Sequence, residues 1–192
     1  MTGNLANDPR WQRMLDADWA CPCCGQRFGG IMDIGYDRPD SWPHGNRQES
    51  GEKTLKAGDD QLGTDLCRHG EHRFVRGILE IPIKGSDEVF GFGVWSSLHS
   101  DNFDAYVAAW GKPEEAELGP WFGWMSNELP LYGEGFLEAR VEPRGGTERP
   151  SITVVAEGHP LTLAQAQGIS FDRLLDIYAA AGTDLRSHLE AS

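Results

Sequence analysis

The chain has 192 residues, 39% of them hydrophobic, and carries 17 Lys and Arg against 30 Asp and Glu, which gives a net charge of −13. A chain of this length buries enough apolar surface to fold without a disulfide framework. The negative charge would repel a phosphate backbone, and the basic residues are scattered along the sequence. We therefore exclude nucleic acid as a partner of this acidic protein.

The N-terminus and the cysteine content predict a cytoplasmic protein. Charged and polar residues interrupt Met1 to Leu15, so no signal-peptide core is expected there. No stretch approaches the roughly 20 apolar residues of a membrane helix, so no membrane partner is expected. Three of the four cysteines lie together at Cys21, Cys23 and Cys24. Such a cluster is more typical of metal binding in a reducing compartment than of a disulfide framework.

Residues 1–72 are expected to hold a short helix, the cysteine cluster and a long loop. Asp8 to Trp19 has an N-cap residue, a first-turn proline and apolar residues at four-residue spacing, as in an amphipathic helix. Gly29 to Gly63 is rich in Gly, Pro, Asp and Ser and has neither helical nor strand periodicity. We interpret it as a loop whose two ends are held together.

Residues 73–192 are predicted to form an α+β core, continuous with the N-terminal region as one domain. Four segments have the pattern of β-strands and form two predicted hairpins: Phe74–Lys84 with Val89–Leu98, and Leu137–Glu142 with Ser151–Ala156. Helices are predicted at Asp101 to Trp110 and after the Ser170 cap. The expected fold is an antiparallel sheet of at least four strands, with helices packed on one side and an N-terminal zinc-knuckle-like loop.

The segment Cys21-Pro22-Cys23-Cys24-Gly25 has the spacing of a zinc knuckle, in which two thiolates two residues apart bind one tetrahedral ion. Cys21 and Cys24 are the predicted ligands, and Cys23 is expected to point away. A knuckle needs a second pair of ligands from elsewhere in the chain. The candidates are Cys67 with one of three histidines: His72, His69 or His44.

A closed site with four protein ligands would make the Zn²⁺ structural, since no coordination position remains for water. Two alternatives stay open at this point. Cys21 and Cys24 can form a reversible disulfide of the redox type, or the cysteines can be inert thiols.

Several sequence blocks resemble the bacterial uncharacterised family known as domain of unknown function 2199. They are CPCCG, DLC at Asp65 to Cys67, FVRGILEIPI, FGVWSSL, GPWFGWMSNELPLY, ERPSITV and HPL at His159 to Leu161. The resemblance covers about Cys21 to Arg173 and implies no activity. The family pattern implies a histidine shortly after the glycine of the cysteine motif, whereas this chain has Arg27 and Phe28 there.

The sequence contains none of the nucleophile-elbow, phosphate-loop, metalloprotease or dinucleotide-binding motifs. Tryptophans are its main other candidates: Trp121 and Trp124, with Trp95, can line a ligand pocket or belong to the core. Their segment, Gly119 to Tyr132, has no clear periodicity and is the candidate contact region for a partner.

Two functions remain. We expect a non-catalytic binding protein with a structural Zn²⁺, which recognises a protein partner or a small molecule in the cytoplasm. The alternative is an enzyme acting on a small molecule, with a site built from His159, Arg149, Arg76 and the tryptophans. Convergence of these side chains in one deep pocket would favour the enzyme.

Overall fold

The computed structural model describes residues 4–46, 51, 53–133, 135–146 and 148–191. In this part of the chain the strands are β1 Ile34–Gly35, β2 Leu55–Ala57, β3 Asp60–Leu62, β4 Leu66–His69, β5 His72–Pro82, β6 Val89–Leu98, β7 Trp121–Met125, β8 Leu137–Glu142 and β9 Ser151–Val154. The helices are α1 Pro9–Leu15, α2 Ser100–Ala109, α3 Pro160–Gln167, α4 Phe171–Ala180 and α5 Arg186–Glu190, with 3-10 turns at Leu5–Asn7 and Pro113–Glu117.

The β5–β6 hairpin is the longest strand pair of the sheet. Its antiparallel register pairs Arg73 with Leu98 at one end and Pro82 with Val89 at the other. Successive side chains of a strand point to opposite faces. One face of this hairpin is buried in the main core: Val75, Leu79, Ile81, Phe90, Phe92, Val94 and Leu98. The sequence predicted both strands and this face, and the structure confirms them.

The sheet is larger than predicted and closes on itself. Its order is β1-β6-β7-β8-β9-β5-β4-β3-β2, and an additional β5–β6 pairing closes β5 to β9 into a ring of five strands. Within this ring the β5–β9 pair is parallel, at Ile78 and Ser151, and outside it β1 is parallel to β6. The expectation of an antiparallel sheet is therefore right for most strand pairs and wrong for these two. β5 and β6 have 11 and 10 residues, so the edge of each strand that faces away from the hairpin is long enough for two neighbouring strands. These neighbours are β4 and β9 beside β5, and β1 and β7 beside β6.

All five helices contribute buried side chains to one main core, together with the inner face of the closed sheet. The helical members are Trp11, Met14, Phe103, Tyr106, Leu161, Ala164, Phe171, Leu174, Leu175, Ile177, Tyr178 and Leu189. Asp8 caps α1 and Ser170 caps α4, as predicted, because each side chain accepts a backbone N–H of the first turn. In α2 the cap is His99 instead of the predicted Asp101.

A second apolar cluster lies on the outer face of the β5–β6 hairpin. It consists of Trp42, Leu62, Cys67, Phe74 and Trp95. Strands β2 to β4 extend the sheet on this side, and the segment 36–46 covers it. The predicted loop Gly29 to Gly63 is therefore wrong in part, because it contains β1, β2 and β3. These strands have two or three residues each, too few to show a period of two; residues 47–50 and 52 of this segment lie outside the described residues.

The aromatic segment from Gly119 onward also forms a strand, β7, which the sequence did not predict. β7 pairs with β8 over five residue pairs, from Trp121 with Val141 to Met125 with Leu137. Gly123 interrupts its pattern because a Cβ there would lie 2.3 Å from the Ser97 carbonyl oxygen. Among the described helices, none has both the length and the apolar character that a bilayer crossing requires.

Candidate metal centre

The cysteine segment forms a tight turn after α1. The Gly25 amide donates to the Cys21 carbonyl at 2.7 Å, and the Cys21 amide donates to the Gln26 carbonyl at 2.8 Å. Gly25 has a φ of +74°, a left-handed conformation that a side chain disfavours. This folding of the backbone brings the sulfurs of Cys21, Cys23 and Cys24 to one side of the turn.

The fourth member of the cluster is His188, in α5 at the other end of the chain. Its Nδ1 atom lies 3.6 Å from the Cys21 sulfur, 3.8 Å from that of Cys23 and 3.4 Å from that of Cys24. All four donor atoms lie within 4.8 Å of one another. The structure therefore places three thiols and one imidazole at metal-binding distance, with Cys21 buried, His188 half-buried and the other two exposed.

These separations are close to those of a tetrahedral zinc centre. With Zn–S of about 2.3 Å and Zn–N of about 2.0–2.1 Å, a sulfur and a nitrogen in a tetrahedron lie about 3.5 Å apart and two sulfurs about 3.8 Å apart. The three sulfur–nitrogen distances agree with this geometry. The Cys21 and Cys23 sulfurs are closer, at 2.9 Å, so one of them must move outward to bind the same ion.

The electrostatics of the turn favour a thiolate. The hydrogen bond with Cys23 and a second one with His188 lower the pKa of Cys21 to about 6, so this thiol ionises at neutral pH. The same Cys21–Cys23 contact raises the pKa of Cys23 to about 11, because two adjacent sulfurs resist carrying two negative charges. A cation between the sulfurs removes this repulsion and allows all of them to ionise.

Packing of the N-terminal segment against the C-terminal helices positions His188. Trp11 of α1 contacts Phe171 of α4 edge to face, with ring centroids 5.1 Å apart. Arg13 of α1 donates to the Leu189 carbonyl of α5 at 2.6 Å. Both ends of the chain therefore meet beside the cysteine turn.

Two predicted ligands, Cys67 and His72, are not brought to this cluster. Cys67 lies in β4 and is buried in the second apolar cluster, where burial raises the pKa of its thiol to about 12. A thiol of this pKa stays protonated, whereas metal binding requires the thiolate. His72 lies in β5, with its ring centroid 6.4 Å from that of His69. The expectation that Cys23 points away from the ligands is also wrong.

The sequence analysis missed Cys23 and His188 as members of the site. The sequence offers one signal for a distant ligand: no histidine follows the cysteine motif closely, so a ligand of that type has to come from elsewhere in the chain. Phe28 occupies that part of the chain here, and its ring lies 6.2 Å from the His188 ring. The imidazole therefore comes close to the cysteine motif from a distant helix.

The residues of the alternative enzyme site do not converge. His159 caps α3, where its Nδ1 accepts the Leu161 amide at 3.2 Å. Arg149 binds Asp65 at 2.6 Å, and Arg76 lies against Gly35 and Gly93.

The three tryptophans also lie apart from one another, and they differ in burial: one belongs to the core and another is exposed as a contact residue would be. Trp95 is fully buried, Trp121 is half-buried with its ring 6.4 Å from that of Tyr106, and Trp124 is 43% exposed beside Phe122. Trp124 lines one groove and Arg149 lines a different pocket, and neither lining includes Trp95, Arg76 or His159.

The comparison with known proteins agrees with the resemblance in the sequence. A family model described as "Uncharacterized protein conserved in bacteria (DUF2199)" matches residues 20–169, close to the expected Cys21 to Arg173. No curated protein and no solved structure matches the chain significantly. The match includes the cysteine turn, and His188 lies beyond it. The chain belongs to the DUF2199 family of proteins conserved in bacteria.

Proposed function

We propose that this protein is a non-catalytic binding protein that holds one structural Zn²⁺ between Cys21, Cys23, Cys24 and His188. The observation that carries the metal assignment is the convergence of four donor atoms within 4.8 Å of one another. Three sulfur ligands and one imidazole form a donor set that proteins use for structural zinc, and soft thiolates disfavour Mg²⁺, Ca²⁺ and Mn²⁺.

The proposed zinc is structural because the protein alone supplies four ligands. A tetrahedral ion with four protein ligands has no position left for water or substrate, so its contribution is folding free energy. The ion would join the cysteine turn to α5, which is 164 residues further along the chain from Cys24. A site made of thiolate ligands suits a reducing compartment, so we place the protein in the cytoplasm.

Zinc content tests the assignment directly. We expect one equivalent of zinc in the purified wild-type protein and in a Cys67→Ala variant, since Cys67 is buried in another cluster. Cys24→Ser should lose most of that zinc, because serine supplies no thiolate. Elemental analysis of protein purified without chelator measures it. Equal zinc in the Cys24→Ser and Cys67→Ala proteins, or none in the wild type, would contradict the proposed centre.

The proposed binding surface is the outer face of β7 with the groove beside it. Phe122 and Trp124 are 56% and 43% exposed and contact each other edge to face at 5.4 Å. Exposed aromatic pairs of this kind are typical of contact residues in protein interfaces. The groove continues from Trp124 to Arg73 and His72.

The charge of the groove favours an acidic polypeptide as the partner. The Arg73 guanidinium donates to the backbone carbonyls of Gly70 and His72, and among the described residues it forms no ion pair. Glu71 is the acidic residue of the lining. Arg73 and Glu71 balance each other, so the lining lacks the acidic excess of the whole protein, whose net charge is −13. A segment with an apolar side chain for Trp124 and a carboxylate for Arg73 would match it.

Selection from a displayed library of random peptides tests this surface without a known partner. We expect the wild-type protein to enrich peptides that combine Asp or Glu with an apolar residue. Enriched peptides should bind Arg73→Gln and Trp124→Ser variants at least about tenfold more weakly, a loss of about 1.4 kcal/mol each. An Arg27→Gln variant is the matched control and should bind normally, because Arg27 is an exposed arginine next to the cysteine turn and lies outside the groove lining. No enrichment, or equal binding by all variants, would refute the proposed surface.

A further inference from the structure

A second group of metal-ligating side chains is separate from the cysteine turn and shares no residue with it. His44, Asp60 and His69 each offer one donor atom, and these atoms lie within 4.8 Å of one another. The His44 Nε2 and His69 Nδ1 atoms approach the same oxygen of Asp60, Oδ2, at 2.8 Å and 2.9 Å. Two imidazoles and a carboxylate therefore point at one place.

The sheet register builds most of this group. β3 and β4 are antiparallel, with Leu62 opposite Cys67 and Gln61 opposite Arg68. The next pair in this register is Asp60 opposite His69. Since side chains alternate between faces, Asp60 and His69 share the face of Leu62 and Cys67. The imidazole and the carboxylate thus lie one row beyond the second apolar cluster, on its own face of the sheet.

His44 comes from the covering segment 36–46, which a network of buried hydrogen bonds holds on the sheet. Asn127 is the centre of this network: its side chain accepts the Trp95 amide at 2.8 Å and donates to the Arg38 carbonyl and to Asp40. The Trp95 indole N–H donates to the Tyr36 carbonyl at 2.9 Å. The segment that carries His44 is therefore held on the sheet through Tyr36, Arg38 and Asp40, which precede His44 in the chain.

The immediate surroundings orient all three donor groups. The Gly70 amide donates to the other oxygen of Asp60, Oδ1, at 2.8 Å, which leaves Oδ2 aimed at the imidazoles. Trp42 contacts the rings of His44 and His69 edge to face, at 4.8 Å and 6.1 Å between centroids. Such partners fix carboxylates and imidazoles in proteins that bind metals.

The spacing and the charge suit a divalent ion. Ligands about 2.1 Å from a metal lie about 3.0 Å apart along an octahedral edge and about 3.4 Å apart along a tetrahedral edge, and the two contacts of Asp60 are near the first value. The Asp60 carboxylate supplies a negative charge, and the Gly70 amide and the two imidazoles hold its two oxygens in place. The side chain of Asp60 is only 19% exposed.

We propose that His44, Asp60 and His69 form a second metal site, which takes a divalent first-row transition ion such as Zn²⁺ or Fe²⁺ through two imidazoles and one carboxylate. This donor set disfavours Ca²⁺ and Mg²⁺, which prefer oxygen ligands. With three protein ligands among the described residues, it leaves positions for water or a small ligand. The site shares no ligand with the Cys₃His centre, so either can exist without the other.

Cobalt titration of the zinc-loaded protein tests the site. Protein holding one equivalent of zinc at the thiolates is titrated with Co²⁺, which does not compete well with zinc for thiolates. We expect one further equivalent to bind with the weak d–d absorption of nitrogen and oxygen ligands, and without the intense thiolate charge-transfer band. Asp60→Asn should weaken this binding at least about a hundredfold, while the exposed neighbour substitution Asp59→Asn should leave it unchanged.

A second variant keeps the test valid if Asp60→Asn fails to fold. His44→Gln changes a ligand in the covering segment without changing β3 or β4, and it should lose the same equivalent of Co²⁺ while retaining its zinc. Circular dichroism checks the fold of each variant. Wild-type protein that binds no Co²⁺ beyond its zinc, or folded His44→Gln protein that binds Co²⁺ as the wild type does, would overturn the proposal. A hydrogen-bonded His–Asp–His group without a metal would then be the correct description.

Discussion

Removal of zinc from the Cys₃His centre is expected to lower the melting temperature by about 8–16 °C. A ligand present at a thousand times its dissociation constant stabilises the folded state by about 4 kcal/mol. In a domain of 150–250 residues, each kcal/mol corresponds to about 2–4 °C in melting temperature. Thermal melts of zinc-loaded and chelator-treated protein measure the difference.

The loss should be local, because the ion joins the two ends of the chain. α1 and α5 rest on each other through the Arg13–Leu189 contact, and the Cys21–Gly25 turn has only one buried thiol, Cys21. β5 and β6, in contrast, pair over ten residue pairs within the main core. Hydrogen exchange after chelation should therefore accelerate in α1, the cysteine turn and α5, while β5 and β6 stay protected.

The Cys24→Ser variant is the control for this prediction. It should melt at about the temperature of the chelated wild type, and chelator should not lower its melting temperature further. Two results would contradict the prediction. Chelator could accelerate hydrogen exchange in β5 and β6 as much as in α1 and α5, or it could leave the melting temperature of the wild type unchanged. Either result would show that the metal centre does not join the two ends of the chain.

The strands and helices that the sequence predicted correctly are those whose pattern is local. β5, β6 and α4 each repeat their apolar residues over ten or more positions, so the period identifies the element and its buried face. β1 has two residues and β3 has three, too few for any period. Closure of the sheet through Ile78 and Ser151 joins residues distant in sequence, and no local pattern encodes it.

The same distinction between local pattern and distant packing applies to the metal-ligating residues. Cys21 and Cys24 were found because their spacing is local and defines the turn. His188 is brought to them by packing of α5 on α1, which single-sequence patterns do not contain. No local pattern marks Cys67 as a ligand, and its strand register places it in the apolar cluster with Phe74 and Leu62. The histidines His44 and His69, weighed only as a fourth ligand for the cysteines, lie together with Asp60 instead.

Trp95→Ala should lower the free energy of unfolding by about 3–5 kcal/mol, more than Trp124→Ala. Trp95 is 0% exposed and fills the second apolar cluster between the sheet and the covering segment. Its indole N–H also donates to the Tyr36 carbonyl, which would lose this partner. Urea denaturation measures the change as a shift of the midpoint at an unchanged slope.

Trp124→Ala is the matched control, because it removes the same side chain from the exposed face of β7. Trp124 is 43% exposed, and its main described ring contact is the edge-to-face pair with Phe122. Such a pair contributes about 0.5–1.5 kcal/mol, so the variant should lose no more than about 1.5 kcal/mol and should fold normally. A loss from Trp124→Ala as large as that from Trp95→Ala would place Trp124 in the core and remove it from the proposed binding surface. A stable Trp124→Ala protein with reduced peptide binding would assign this side chain to contact with a partner.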